Sequence, residues 1–238
     1  MNQLSNYPHL LNYVSHLRLI PHGKLLWSGV YDRSFSGPYT CLDSFRIGST
    51  PVTWGMWKEY WYSSGSKLPV VPAWGWLDDH PVVNVSWNDV TQTNGFTEWA
   101  SSVAGIQFQL PTEVQFEYSV CGGFAGQFYP WGNVYVDENL WCSAETSREC
   151  TAPVNRTNNV YRNAFGLTDL VGNVFEWCAN PRIRYTTGRI GSNSYIQLDK
   201  CVRGCSWACN DVSYRQRRSY NPSYLDDTLG FRLVAPPK

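Results

Sequence analysis

Val202-Arg203-Gly204-Cys205-Ser206-Trp207 and Gly230-Phe231-Arg232-Leu233-Val234 bracket the segment that decides how this chain is read. Both ends have the apolar and aromatic content of strands fixed in a core. Between them, Ala208 to Leu229 reads as displayed surface. It carries Asn210, Asp211, Ser213, Tyr214, Ser219, Tyr220, Asn221, Ser223, Tyr224, Asp226, Asp227 and Thr228. Tyr offers large contact area at low entropy cost, and small polar residues offer adaptable hydrogen bonds, the mixture that binding loops use.

The rest of the composition narrows the class. At 238 residues and 43% hydrophobic, the chain can bury a sizeable core. Its 12 Trp, 15 Tyr and 10 Phe suit a fold rich in loop, where large side chains fill the gaps between few regular elements. A formal net charge of zero, with no basic run, argues against nucleic acid as a partner. No apolar stretch approaches the roughly 20 residues needed for membrane insertion. Met1 to Ser5 lacks a signal-peptide pattern. The eight cysteines show no C-x-x-C pair and are read as buried thiols, with Cys142 and Cys150 the pair best placed for a loop staple.

Periodicity places the elements. Residues 1–16 form an N-terminal arm or short helix, with Leu10, Leu11 and Val14 at helical spacing, and 17–238 form one domain. Leu17 to Pro21 and Lys24 to Ser28 read as strands around His22-Gly23, and Tyr39 to Ile47 as another. Thr53 caps a helix from Trp54 to Ser63. Ser86 and Asp89 have capping-box spacing and open a helix ending at Gly105; Thr112 and Gln115 open a third helix, stopped by Gly122-Gly123. Gln107 to Leu110, Phe175 to Cys178, Lys200 to Arg203 and Phe231 to Val234 read as short strands. The expected class is α+β, with few helices and much ordered loop.

Several phrases follow one another in a recognisable order: Phe45-Arg46-Ile47-Gly48, His80-Pro81-Val82-Val83-Asn84-Val85-Ser86-Trp87, Leu110-Pro111-Thr112-Glu113, Tyr129-Pro130-Trp131-Gly132-Asn133, Asn163-Ala164-Phe165-Gly166-Leu167 through Gly172-Asn173-Val174-Phe175-Glu176-Trp177, then the two C-terminal phrases. The series resembles the formylglycine-generating-enzyme (sulfatase-modifying factor) family over about Leu17 to Val234. The resemblance implies a variant of the C-type lectin fold. In enzymes of that family two cysteines after the Arg-Gly-Gly-Ser phrase bind copper and activate oxygen. Cys209 stands at the first position and Tyr214 at the second, so copper is not expected and the chain is read as non-catalytic. Cys205 replaces the second Gly and is expected to face away from that site.

Within this fold the chain is most similar to the variable proteins of diversity-generating retroelements, whose lectin-fold surface is diversified at adenines. Changing the first two bases of Asn codons never gives a stop, Lys, Glu, Gln, Met or Trp, and between Ala208 and Leu229 only Gln216 belongs to that excluded set. The resemblance implies a hypervariable surface at about 205–229 that binds a protein or cell-surface ligand. The expected contact residues are Ala208, Asn210, Asp211, Ser213, Tyr214, Ser219, Tyr220, Ser223, Tyr224, Asp226 and Asp227. Arg215, Arg217, Arg218, Pro222, Leu225 and Leu229 are expected to be scaffold. Two alternatives stand beside this reading: a copper- and oxygen-dependent oxidase with an altered site, and a carbohydrate-binding module. Virion-associated and cytoplasmic locations both fit. The resemblance also implies structural calcium (Ca2+) in the turn Asp169 to Glu176, held by the side chains of Asp169 and Glu176 and the carbonyls of Gly172 and Val174, an all-oxygen set suited to a hard cation. Glu113 and Glu117, at i and i+4, are not read as an acid–base pair.

Overall fold

The computed structural model describes residues 3–26, 39–123, 129–136, 139–142, 149–154, 156, 161–181, 199–210 and 216–237. A 3-10 turn at Gln3–Asn6 leads into α1, Pro8–Ser15, with Pro at its start where a missing N–H costs nothing. Of the arm and helix readings, a helix forms, and it is part of the core: Leu4, Leu10 and Tyr13 are buried while Leu11 is exposed. The carboxylate of Glu59 accepts the His9 and Leu10 N–H groups at 2.8 and 3.0 Å, satisfying donors that a helix start leaves open.

Among the described residues, six pairings organise the strands into three sheets. β1 (Leu17–Ile20) pairs antiparallel with β4 (Phe45–Gly48), and β4 with β9 (Val234–Ala235). β2 (Gly23–Leu26) pairs with β3 (Tyr39–Leu42). The strands expected on either side of His22-Gly23 therefore form but do not pair with each other, and the single strand expected at Tyr39 to Ile47 divides at Asp43-Ser44. The four-stranded sheet runs β7-β6-β5-β8, from Arg217–Tyr220, Lys200–Gly204, Phe175–Pro181 and Leu229–Gly230. Gln107 to Leu110 contributes only an isolated bridge, Gln109 to Val234.

The helices follow their caps. α2, Trp54–Ser64, has the Thr53 cap and a left-handed Gly65 after its last turn, and it buries Trp54, Trp57 and Tyr60. Trp57 stacks on Phe96 at 5.2 Å, and Phe231 meets Phe96 edge-on at 5.3 Å. The helix expected from Ser86 to Gly105 is two, α3 (Trp87–Thr91) and α4 (Phe96–Ala104), because Gln92 is extended and Asn94 is left-handed at φ 60°. Both capping boxes are complete, Ser86 with Asp89 and Thr112 with Gln115; the latter opens α5, Glu113–Cys121. All eight cysteines are free thiols; the Cys142–Cys150 staple is not formed, and Trp141 instead ties that loop by donating to the Cys150 carbonyl at 2.8 Å.

The guanidinium groups of Arg232, Arg203 and Arg217 hold these layers together. Phe231 to Leu233, expected as strand, is instead the buried span between β8 in one sheet and β9 in another. Arg232, fully buried there, donates through Nε and Nη2 to the two oxygens of Glu176 at 2.7 Å each. It also donates to the carbonyls of Gly48 (3.2 Å), Thr168 (3.0 Å) and Asp169 (3.3 Å). Arg203 of β6, equally buried, donates to Glu113 at 2.9 Å and Glu117 at 2.7 Å on α5. Arg217 of β7 closes on the same Glu113, with Nη2 at 2.7 Å and Nε also bonded.

Two predictions follow from the sign of these interactions. Arg232→Met leaves the Glu176 carboxylate buried without its partner, and denaturant unfolding is expected to show a loss of about 3 to 5 kcal/mol. For Glu113, burial works to raise the carboxyl pKa, but Arg217 and Arg203 prevail and hold it below the ordinary carboxylate value. A lowered folded-state pKa adds stability above the unfolded value and loses it as pH falls through the folded one. Glu113→Gln is therefore expected to cost most at neutral pH, and the gap from wild type should narrow below pH about 4.

Candidate ligand-binding face

The candidate segment begins at Gly204, whose φ of 83° turns the chain out of β6; a Cβ there would lie 3.2 Å from the Leu170 carbonyl. The chain then folds back, with Cys209 N–H donating to the Ser206 carbonyl at 3.1 Å. Trp207 pins this turn: its N–H donates to the Asn173 carbonyl at 2.9 Å and its indole to the Asp227 carbonyl at 3.1 Å, while Trp74 packs edge-on at 5.4 Å. Ala208 and Asn210 are left exposed. Asp211, Ser213 and Tyr214, with Arg215, lie outside the described residues.

The chain resumes as β7, an edge strand antiparallel to β6, so part of the segment read as loop is sheet. Alternation divides its side chains. Arg217 turns toward Glu113, and Ser219, opposite Cys201, shares that side rather than the one Tyr220 uses. Tyr220 packs on Trp177 and stacks on Tyr224 at 4.4 Å and 14°. The Tyr224 hydroxyl donates to Asp226 at 2.8 Å, and that hydrogen bond to a carboxylate raises its pKa to about 12. Ser223, Tyr224 and Leu225 are exposed; Asp226 and Asp227 are half-buried. Burial and the neighbouring Asp226 together raise the Asp227 carboxyl above its ordinary value. Thus Tyr220, Ser223, Tyr224, Asp226 and Asp227 share one face, Ala208 and Asn210 flank it, and Ser219 belongs to the other side of β7.

This face is positioned by backbone. Asn84 N–H donates to the Asp226 carbonyl (3.0 Å), Asn88 N–H to Pro222 (3.1 Å) and Phe175 N–H to Thr228 (2.8 Å). Inside the turn, Asn221 accepts from Ser223 N–H at 2.9 Å and Asp226 from Thr228 N–H at 2.9 Å. Residues that sequence reasoning did not place here also contribute. Arg218, read as scaffold, is exposed; its guanidinium lies 4.2 Å from the Phe175 ring centre and donates to the Tyr220 hydroxyl at 3.4 Å. Asn88 donates to Ser223 Oγ at 3.1 Å, and Asn84 donates to the Val70 carbonyl at 3.0 Å, which brings the exposed Val70-Val71 beside the face. The available signal was an apolar pair placed between Pro69 and Pro72 in a loop.

Two chemical sites bear on the same region. Cys205 does not face away from Cys209, as its sequence position suggested. The left-handed Gly204 and the turn after it bring the Cys205 thiol to donate to the Cys209 sulfur. That bond, with a further one from Ser206 N–H at 3.2 Å, lowers the Cys209 pKa to about 6 against the effect of burial. The turn assigned to calcium carries left-handed Asp169, Gly172 and Asn173. Its carboxylates are already neutralised: both oxygens of Asp169 meet Arg156, and both oxygens of Glu176 meet Arg232. As arranged, these residues do not fit calcium, since a cation would have to displace a guanidinium from each carboxylate. A hollow of about 10 Å³ beside Asp169, lined also by Pro130, Trp131 and Tyr161, has room for about one water.

Comparison with known proteins places this geometry. The Sulfatase-modifying factor enzyme 1-like domain matches residues 11–236. The chain is 34% identical over 231 residues to the Inactive C-alpha-formylglycine-generating enzyme 2 of Bos taurus, covering 88% of this chain and 67% of that one. It is likewise 34% identical over 178 residues to the Formylglycine-generating enzyme of Streptomyces coelicolor, covering 66% and 52%. The chain thus spans between about half and two thirds of these relatives' lengths. Among solved structures, Treponema denticola variable protein 1 superposes with a TM-score of 0.73 at 21% identity, covering 93% of this chain and 95% of that one. The fold is therefore the lectin-like α+β fold that the sequence phrases implied, and the chain belongs to the sulfatase-modifying factor enzyme 1-like family.

Proposed function

We propose that this chain is a ligand-binding display protein, with a C-terminal surface diversified by a retroelement and directed at protein ligands. The observation that carries the reading is how the face is built. Its position is set by main-chain hydrogen bonds to Asn84, Asn88 and Phe175, so its exposed side chains can change without dismantling it. A pre-ordered face lowers the entropy cost of each new binding surface. The exposed Val70, Val71, Tyr224 and Leu225 supply apolar area next to polar groups, the composition of a protein contact. Tyr220 and Tyr224 stack on each other, which takes up one face of each ring and leaves a smaller aromatic platform for the carbohydrate-binding alternative.

The oxidase alternative has one observation in its favour, the lowered pKa of Cys209 at the position of the family's first copper-binding cysteine. Against it stands Tyr214 where the second thiolate is required, because a single thiolate lacks the paired soft ligands that hold monovalent copper. Calcium is not needed by this reading either.

The DNA flanking the gene is expected to hold a near-copy of the codons for Val202 to Val234, differing mainly at adenines, beside a reverse transcriptase gene; absence of any such repeat would remove the retroelement reading. Replacing the exposed Asn210, Ser223 and Tyr224 together by Ala is expected to leave the melting temperature within about 4 °C of wild type, as surface changes do; collapse of the fold would show that these residues are structural. A chelator is expected to leave the melting temperature unchanged. Copper-loaded protein given oxygen and a cysteine-containing sulfatase peptide is expected to form no formylglycine, and conversion would establish the oxidase.

A further inference from the structure

We propose that Cys205 and Cys209 are an oxidisable dithiol, a modification site at the hinge between the fixed sheet and the displayed segment. The two sulfurs are in hydrogen-bond contact across the turn that follows Gly204, with Cys209 Sγ also 3.6 Å from Ser206 Oγ. They differ in access. Cys205 is fully buried, whereas Cys209 keeps 6% exposure and lies between exposed Ala208 and Asn210. Cys209 is therefore the sulfur a reagent meets, and Cys205 stands directly behind it.

Their chemistry follows the same order. The thiolate is the attacking form of a cysteine, and Cys209 is stabilised in that form while the Cys205 thiol, which gives the hydrogen bond, holds its proton well above the ordinary range. The Cys209 thiolate attacks one sulfur of a low-molecular-weight disulfide. The reagent's S–S bond breaks, a mixed disulfide forms at Cys209 and one thiolate leaves. Cys205 then loses its proton to solvent and attacks Cys209 Sγ, expelling the second thiolate. The two cysteines give up two electrons and two protons, and the reagent is reduced to two thiols.

A second pair supplies an internal control. Cys178 and Cys201 also touch, on neighbouring strands β5 and β6, but both are fully buried within the sheet. Contact without access predicts no oxidation of the folded protein there. The inference stands independently of what the face binds.

The test treats the full chain with excess oxidised glutathione, alkylates it and maps the peptides. Cleavage after Arg203 and Arg215 releases Gly204 to Arg215, which holds Cys205 and Cys209 and no other cysteine. The expected result is that this peptide is unalkylated and lighter by two hydrogens, that the buried Cys121, Cys142, Cys178 and Cys201 are alkylated when the protein is unfolded for labelling, and that dithiothreitol reverses the change. In Cys205→Ser, Cys209 is expected to stop at the glutathione mixed disulfide. Alkylation of Cys205 and Cys209 in the oxidised wild type, a stable mixed disulfide on Cys209, or a bond between another pair would each overturn the proposal. The wild-type map decides the matter even where the variant fails to fold.

Discussion

The buried guanidinium of Arg232 is the point on which the layers of this molecule converge. It lies between the strand that completes the four-stranded sheet and the strand that completes the three-stranded one. Its bonds reach β4 through Gly48, the Asp169 turn through two carbonyls, and β5 through Glu176. An ion pair so deeply buried adds little net stability over apolar residues of the same size, because both charges must leave water. What it adds is geometry: five donors in a fixed plane accept only one arrangement of three otherwise irregular segments. In a chain whose elements are short, that selection replaces the register that long helices and strands would impose.

The candidate face takes its position from this arrangement. β5 and β8 are held by the Arg232 cluster, and the turn 221–228 between β7 and β8 is tied to α3 and to Asn84 by main-chain bonds. Side chains in that turn that do bond inward, such as Asp226 to Thr228, brace the loop itself rather than the core. The energetic separation between what holds the fold and what faces solvent is thus a property of which atoms make the hydrogen bonds. Trp207 and Trp74 extend the same principle to the turn at 206–209, using a large aromatic contact where no regular element is available.

The elements most legible in the sequence were those with chemistry at their ends. Both capping boxes and the Gly105 and Gly122 stops could be read directly, because a cap requires particular residue types at fixed spacing. The apparent single helix from Ser86 to Gly105 could not, since its apolar spacing continues across a break made by Asn94, whose left-handed backbone leaves no trace in periodicity. β7 read as loop because its alternation, Arg-Arg-Ser-Tyr, sets an ion pair against one side and stacked aromatics against the other, so no apolar-polar pattern marks it. The Arg203–Glu113–Arg217 cluster joins residues up to 104 positions apart, beyond any local signal. On the face itself, Tyr220 and Tyr224 were found by composition, whereas Asn84, Asn88 and Val70 reach it only through tertiary structure. Ser219 was placed there by composition but is assigned by alternation to the far side.

The adjacent Arg217 and Arg218 show what an ionic lock does at the edge of a sheet. A strand of four residues at the edge of a sheet has few contacts with which to resist slipping along its neighbour. A slip of one residue would exchange the two sides of β7. Arg218 would enter the site at Glu113, and Tyr220 would leave Trp177 and Tyr224. A purely apolar strand would feel such a slip only as a change in packing. Here it must first pull Arg217 from a carboxylate that it holds through two nitrogens in a buried site, and the unpaired charges make that costly. The lock therefore sits on the strand that carries Tyr220, three residues ahead of it, and fixes the register in which that ring meets Trp177.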